Sequence, residues 1–328
     1  MFDRLGVTFA SLPVLGVAGA VEVATTAQDL GYQSFWTAET VGAESYSLLT
    51  AVGAVAPALD LGTGVLPLQL RTPQLAAMGA ATLQALHPDR EIYLGIGISS
   101  PVVTSQWHGT PYGDRPLARV REYVALVREC LSGAVVNFQG DFWSAKRFRL
   151  GVRLGDRRPK IVVGALNEGM LRVAGEVADG VLLNYVPASH VGWSVEQVRK
   201  GGDATIVAYV HAGAVADRSD GIDAARRDLY SYAVVDSYAA SFTRAGYGDE
   251  IAELRERFKA GDREGAVKAV SDRMVDGIDF MGTPAEIRAF VQAYVDAGVQ
   301  VPVLMPLPWG KDRMAVTKAT LRAAAGLD

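Results

Sequence analysis

Two glycines and a proline fall within Gly62-Thr63-Gly64-Val65-Leu66-Pro67, where a short apolar strand gives way to a polar turn and a helix opened by Thr72-Pro73. Glycine admits strained and positive-φ backbone and lets a flat ring approach the main chain closely. Such a strand end reads in two ways: as the floor of a pocket, or as a bulge before an ordinary strand-to-helix turn. A second candidate is Gly164-Ala165-Leu166-Asn167-Glu168-Gly169-Met170, which runs from a strand into a helix start. Free backbone N–H groups and the helix dipole attract an anion there. Glu168 must then face outward, since inside the turn it would repel a phosphate. A plain strand-to-helix loop with a short N-cap is the alternative.

Other chemistries lack their residues. His87, His108, His190 and His211 stand apart in the sequence and no His/Cys/Asp group has metal-ligand spacing, so no metal site is expected. The G-x-S-x-G elbow and the P-loop pattern are absent. Gly95-Ile96-Gly97 follows a strand, but Ser100 stands where a dinucleotide fingerprint needs its third glycine. His108, between Trp107 and Gly109, is either a proton donor lining a substrate pocket or an anchor for its loop. Phe9 and Trp309, at strand ends, supply either an apolar wall over a bound ring or packing at a barrel mouth.

The elements that must position these residues alternate. Short apolar strands are predicted at 5–9, 34–37, 60–66, 91–96, 160–164, 180–184, 204–210 and 301–307, each separated from the next by a helical segment. Thr283-Pro284-Ala285-Glu286 is a capping box with proline at the first helical position. A hairpin over 135–150 interrupts the rhythm after the fourth helix, and 217–279 reads as charged, helical and strand-free. Eight strands alternating with helices in 328 residues predict an α/β fold, a closed (β/α)₈ TIM barrel over 1–328 with a hairpin insertion and a helical insertion before the last strand. A doubly wound open sheet is the rival, because periodicity does not see closure. Chemistry in a barrel belongs at the strand C-termini, which here carry glycine, aromatic and small polar residues and few paired carboxylates.

Composition narrows the partners. Hydrophobic residues make up 49% and charged residues 21%, and a net charge of −4 gives no electrostatic reason for a nucleic-acid or acidic-membrane partner. No apolar run approaches a membrane span, no secretory signal is visible, and Cys130 is the single cysteine. A cytoplasmic protein acting on a small molecule is expected.

The segments 5–9, 30–39, 61–67 and 94–100, with Trp107-His108-Gly109, Asp114-Arg115-Pro116, Ala174–Gly180 and Met281-Gly282-Thr283-Pro284, resemble the bacterial-luciferase-like superfamily of flavin- and deazaflavin-dependent oxidoreductases. Within it, the likeness is to the actinobacterial branch that uses coenzyme F420. The resemblance implies a (β/α)₈ barrel and a non-proline cis peptide at Gly64-Val65 backing the deazaflavin ring. It also implies a tail phosphate at Glu168, Gly169 and Met170, and polar contacts to the ring from Ala38, Glu39 and Thr40. Ser99, Ser100, Gly164 and Ala165 complete the implied cofactor site, with Phe9, Trp107 and Trp309 toward the substrate. A departure matters: the Asp-His pair and glutamate of the sugar-phosphate dehydrogenase branch are replaced by Glu39-Thr40 and Ser100. The implied chemistry is hydride delivery to a C=C, C=N or C=O group, with a proton from water, Glu39, His108 or a hydroxyl. An FMN-dependent monooxygenase and a non-catalytic flavin-binding protein are the alternatives, and a homodimer is a family expectation.

Overall fold

A computed structural model describes residues 2–215 and 217–327. Its strands are β1 (Gly6–Thr8), β2 (Ser34–Thr37), β3 (Asp60–Thr63), β4 (Leu66–Pro67), β5 (Ile92–Gly97), β6 (Val136–Gln139), β7 (Ser144–Phe148), β8 (Lys160–Gly164), β9 (Gly180–Leu183), β10 (Thr205–Ala214), β11 (Asp279–Gly282) and β12 (Val301–Pro306). The parallel order β1-β2-β3-β5-β8-β9-β10-β12 returns to β1 through Gly6 opposite Val303 and Val7 opposite Leu304. That pairing closes the sheet, so the fold is a TIM barrel and the open-sheet rival falls. Helices occupy the connections because each strand must bury both faces.

Two apolar layers follow from the alternation of side chains along each strand. Phe9, Phe35, Leu61 and Ile96 face outward into the helical ring. Trp36, Tyr93, Val162, Leu182, Val207, Tyr209 and Val303 fill the interior, where Trp36 and Tyr93 stack with ring centroids 4.9 Å apart. The helix Pro73–Leu86 starts where Thr72 accepts the Leu75 N–H at 3.2 Å, and the Thr283–Glu286 capping box is present in full.

The expected hairpin is β6–β7, shifted toward the C-terminus of the predicted strands. Its turn is tied down by Glu122, which accepts N–H groups from Asp141, Phe142 and Trp143 at 2.7–2.8 Å. Before the last strand, helices between Ile222 and Ile278 build a second apolar cluster with Tyr185 and Met281. Two features differ from expectation. Residues Val102–Trp107 form a π-helical turn within the predicted long loop. The strand β11 was not anticipated. It is four residues long, and β10, which runs four residues past its predicted end at Val210, reaches beyond β9 to pair with it from His211 to Ala214.

The third strand carries the irregularity that shapes the barrel mouth. Gly62 lies opposite Tyr93 and Leu66 opposite Ile96, so Thr63, Gly64 and Val65 face only Leu94 and Gly95. The extra residue lifts the backbone out of the ladder. The Thr63 hydroxyl replaces the lost pairing: it accepts the Gly95 N–H at 2.8 Å and donates to the Gly95 carbonyl at 2.9 Å. Thr63→Val keeps the shape but orphans both buried groups, so urea denaturation should show a loss of about 1–3 kcal/mol. Thr63→Ser should recover most of it. Equal stability of Thr63→Val and the parent would contradict the bridging role.

Candidate functional site

The Gly64–Val65 peptide bond is cis. The Gly64 N–H donates to the Thr37 carbonyl at 2.6 Å, and the Gly64 carbonyl accepts the Tyr209 hydroxyl at 2.8 Å from across the barrel interior. A Cβ at Gly64 would stand 2.0 Å from that hydroxyl, so no larger residue fits without displacing Tyr209. Val65 then projects over β5 and β8. A Cβ at Gly97 would lie 2.8 Å from Val65, whereas one at Gly164 would make ordinary contacts at 3.4–3.5 Å.

Above this floor lies a cavity of about 370 Å³. Gly64, Val65, Gly97, Gly164 and Ala165 form its base; Ile98, Leu117 and Leu166 are among its apolar walls. Ser99, Asn184, Ser237 and Tyr238 bring polar groups to it, and Gly169 and Met170 form one rim. The volume lies within the range of about 300–1,000 Å³ typical of small-ligand pockets. Gly169 and Met170 belong to the helix Glu168–Val177, whose N-cap residue Asn167 makes no capping hydrogen bond. The Asn167 amide instead donates to the Ser237 carbonyl at 3.0 Å, and its oxygen accepts from Arg244 at 3.2 Å. The helix start is therefore left without a side-chain cap beside the cavity. Glu168 is exposed and pairs with Arg172, facing outward as a phosphate site requires.

The remaining candidates lie elsewhere. Glu39, Thr40 and His108 line a separate cavity of about 380 Å³ together with Glu44, Leu70 and Arg71. Arg71 grips Glu39 in a bidentate pair, Nε to Oε2 at 3.1 Å and Nη2 to Oε1 at 2.9 Å, and the Ser45 N–H donates to the same carboxylate at 3.2 Å. The exposed His108 ring meets the Thr40 carbonyl. The Glu39 N–H donates to the Val65 carbonyl at 3.4 Å, so the strand irregularity is a wall between the two cavities. Ala38 is half-buried beside Glu39 and lines neither cavity. The Ser100 hydroxyl accepts the Val103 N–H at 3.3 Å, just ahead of the π-helical turn. Trp107 is 56% exposed. Phe9 is buried at 4% exposure and stacks on Phe35 in the outer layer, away from the cavity; the outward-facing register of its strand puts it there. Trp309 packs against the inserted helices.

His211 is not isolated. Its Nδ1 lies 2.9 Å from Asp279 Oδ1 and its Nε2 lies 2.9 Å from Asn184 Oδ1. Asp228 joins the group, accepting the Tyr185 hydroxyl at 2.7 Å. Burial holds His211 down to about 4 and pushes Asp279 up to about 8; burial, then the Asp279 charge, pushes Asp228 up to about 7. Sequence reading missed this cluster because its members come from three separate elements. One local signal existed: Asp279 is a carboxylate inside the apolar run Ile278-Asp279-Phe280-Met281. Tyr112, Leu117, Asn184 and Tyr238 were likewise absent from the expected site; a loop, the helix Pro116–Leu131, the end of β9 and an inserted helix supply them.

Known proteins share this architecture. The M. kandleri coenzyme F420-dependent tetrahydromethanopterin reductase superposes with a TM-score of 0.81 at 20% identity over 98% of each chain, a likeness of fold. In sequence, a Mycobacterium tuberculosis protein named provisionally as a coenzyme F420-dependent oxidoreductase is 27% identical over 311 residues, 86% of this chain and 89% of that one. The 5,10-methylenetetrahydromethanopterin reductase of Archaeoglobus fulgidus is 28% identical over 301 residues, 88% of this chain and 89% of the relative. The sequence model of the luciferase-like monooxygenases matches residues 9–301. With that match over most of its length, the chain belongs to the luciferase-like monooxygenase family.

Proposed function

We propose that the chain is an oxidoreductase that binds coenzyme F420 in the 370 Å³ cavity and serves hydride transfer between it and a small organic substrate bearing a C=C, C=N or C=O group. The observation that carries this reading is the glycine floor. Gly97 and Gly164 leave the Val65 bulge bare of neighbouring side chains, and the floor leads to the uncapped helix start at Gly169 and Met170. A flat ring fits the first and a tail phosphate the second. The names of the M. tuberculosis and A. fulgidus relatives support the same choice. When bound, the deazaflavin ring supplies the hydride chemistry.

The protein's part is placement. Val65 and its flanking glycines support one face of the ring and leave the other to the substrate. Ile98, Leu117 and Leu166 exclude water, which strengthens every polar contact inside. Glu39 acts through Arg71 as a buttress: the pair fixes the loop whose N–H holds the Val65 carbonyl. His108 ties its loop to the end of β2 through Thr40. The polar side chains that line this cavity and can face a substrate include Ser99, Tyr112, Asn184, Ser237 and Tyr238. A cytoplasmic setting belongs to the same reading, as does a homodimer through the exposed Leu75, Met78 and Leu86 stripe of the helix Pro73–Leu86.

Two substitutions test the placement. Gly164→Leu fills the cavity from its floor without a backbone clash, so titration followed by deazaflavin fluorescence should show affinity for F420 weakened at least about tenfold, with an unchanged circular dichroism spectrum. Unaltered affinity would put the ring elsewhere, and tight FMN binding with no F420 binding would replace the cofactor. Gly169→Asp places a negative charge at the helix start and should weaken F420 about three- to tenfold at low salt. The deficit should shrink as ionic strength rises. A salt-independent effect, or none, would remove the phosphate from that site.

A further inference from the structure

Asp228 and Asp279 stand side by side next to His211, with one oxygen of each within 4.8 Å of the other and of an imidazole nitrogen. Asp279 is fully buried, its Oδ1 is committed to His211, and its Oδ2 has no partner among the described residues. The groups that face the cluster are Tyr185, Tyr232, Tyr238 and Tyr294 besides the acids and the imidazole; among the described residues no lysine or arginine pairs with His211 or Asp279. Buried carboxylates without a cation take up protons. With a proton on each acid, every contact is satisfied in one direction. The Asp228 hydroxyl donates to Asp279 Oδ2, Asp279 Oδ1–H donates to His211 Nδ1, and His211 Nε2–H donates to Asn184 Oδ1.

Asn184 carries the chain to the cavity. Its oxygen is taken by His211, so its amide N–H is what remains to face the neighbouring Tyr238 hydroxyl, which lines the same cavity. Tyr238 stands on the inserted helix Asp236–Phe242 and lines the cavity. A phenol oxygen that accepts from the Asn184 amide directs its own O–H elsewhere. We propose that Tyr238 presents its O–H to the cavity as a substrate-orienting donor, held in that direction by the chain Asp228–Asp279–His211–Asn184. The ligand atom it meets is an acceptor, a carbonyl oxygen or an imine nitrogen. This deepens the proposed oxidoreductase reading and rests on it for the substrate class. Asp228, Asp279, His211 and Asn184 are positioning residues. Removing one proton from the acid pair reverses the chain: Nδ1–H of His211 then donates to Asp279, Asn184 turns its N–H to Nε2, and Tyr238 donates back to Asn184. Because burial raises both acids, the donor form belongs to lower pH and the reversed form to higher pH.

The direction is readable in the ligand-free protein from the ring nitrogens of His211 by NMR, with His211→Gln assigning the signals. At pH 6 the ring should be neutral with its proton on Nε2. Asp279→Asn, whose amide donates to Nδ1 at any pH, should hold that tautomer from pH 6 to 9. A proton on Nδ1 or an imidazolium at pH 6 would overturn the proposal, as would a His211 shift at one equivalent of zinc chloride, which would make the cluster a metal site. For the last link, the carbonyl carbon of 2-cyclohexenone should move downfield on binding to the parent and not with Tyr238→Phe. No binding, or the same shift in both, would overturn the donor role. None of these measurements uses the cofactor, so a protein with the expected tautomer that fails to bind F420 would strike the oxidoreductase reading alone.

Discussion

One side chain lets the barrel tolerate the residue it has in excess. Between the pairs Gly62–Tyr93 and Leu66–Ile96 the third strand is one residue longer than its neighbour, and the Thr63 hydroxyl satisfies both backbone groups of Gly95 that the bulge would otherwise orphan. Buried donors and acceptors without partners are costly, so the bulge persists because this hydroxyl is there. From it follow the outward thrust of Val65, the cavity above it, and the wall that separates that cavity from the one around Glu39 and Arg71. Tyr209, reaching across the interior to the Gly64 carbonyl, holds the other side.

The two sides of the cavity are electrostatically unlike. At the rim, Asn167 is drawn away to Ser237 and Arg244, which leaves the helix start open to an anion. Behind the wall that Asn184 and Tyr238 form, two carboxyls and an imidazole are sealed among tyrosines, where low polarity favours their uncharged forms. One side suits a charged tail and the other a neutral, directional hydrogen bond. The helices inserted before the last strand supply Asp228, Ser237, Tyr238 and Arg244, so the insertion builds much of the site.

The scaffold was legible in the sequence because its signals are local. Apolar runs bounded by Gly31, Thr72-Pro73 and Thr283-Pro284 mark strands and helices without knowledge of what they touch. The Gly64-Val65 strand end was visible for the same reason. Partnership is a different matter. Glu39 reads as a free acid at a strand end until Arg71, 32 residues away, grips both its oxygens. His211 reads as isolated until Asp279, 68 residues away, is brought beside it by a strand too short to show alternation. Phe9 follows directly on the strand Gly6–Thr8, but its register turns it to the outer layer. Residue types announced what chemistry was possible; pairing across the barrel decided which of them were free to do it.

A crystal structure of the protein soaked with oxidised F420 tests the account most directly, since two cavities of similar size flank the same bulge. The account predicts the ring packed on the Gly64–Val65 peptide, over Gly97 and Gly164, with the tail phosphate at the N–H groups of Gly169 and Met170. A ring lodged beside Glu39, Arg71 and His108, or a phosphate remote from that helix start, would contradict it.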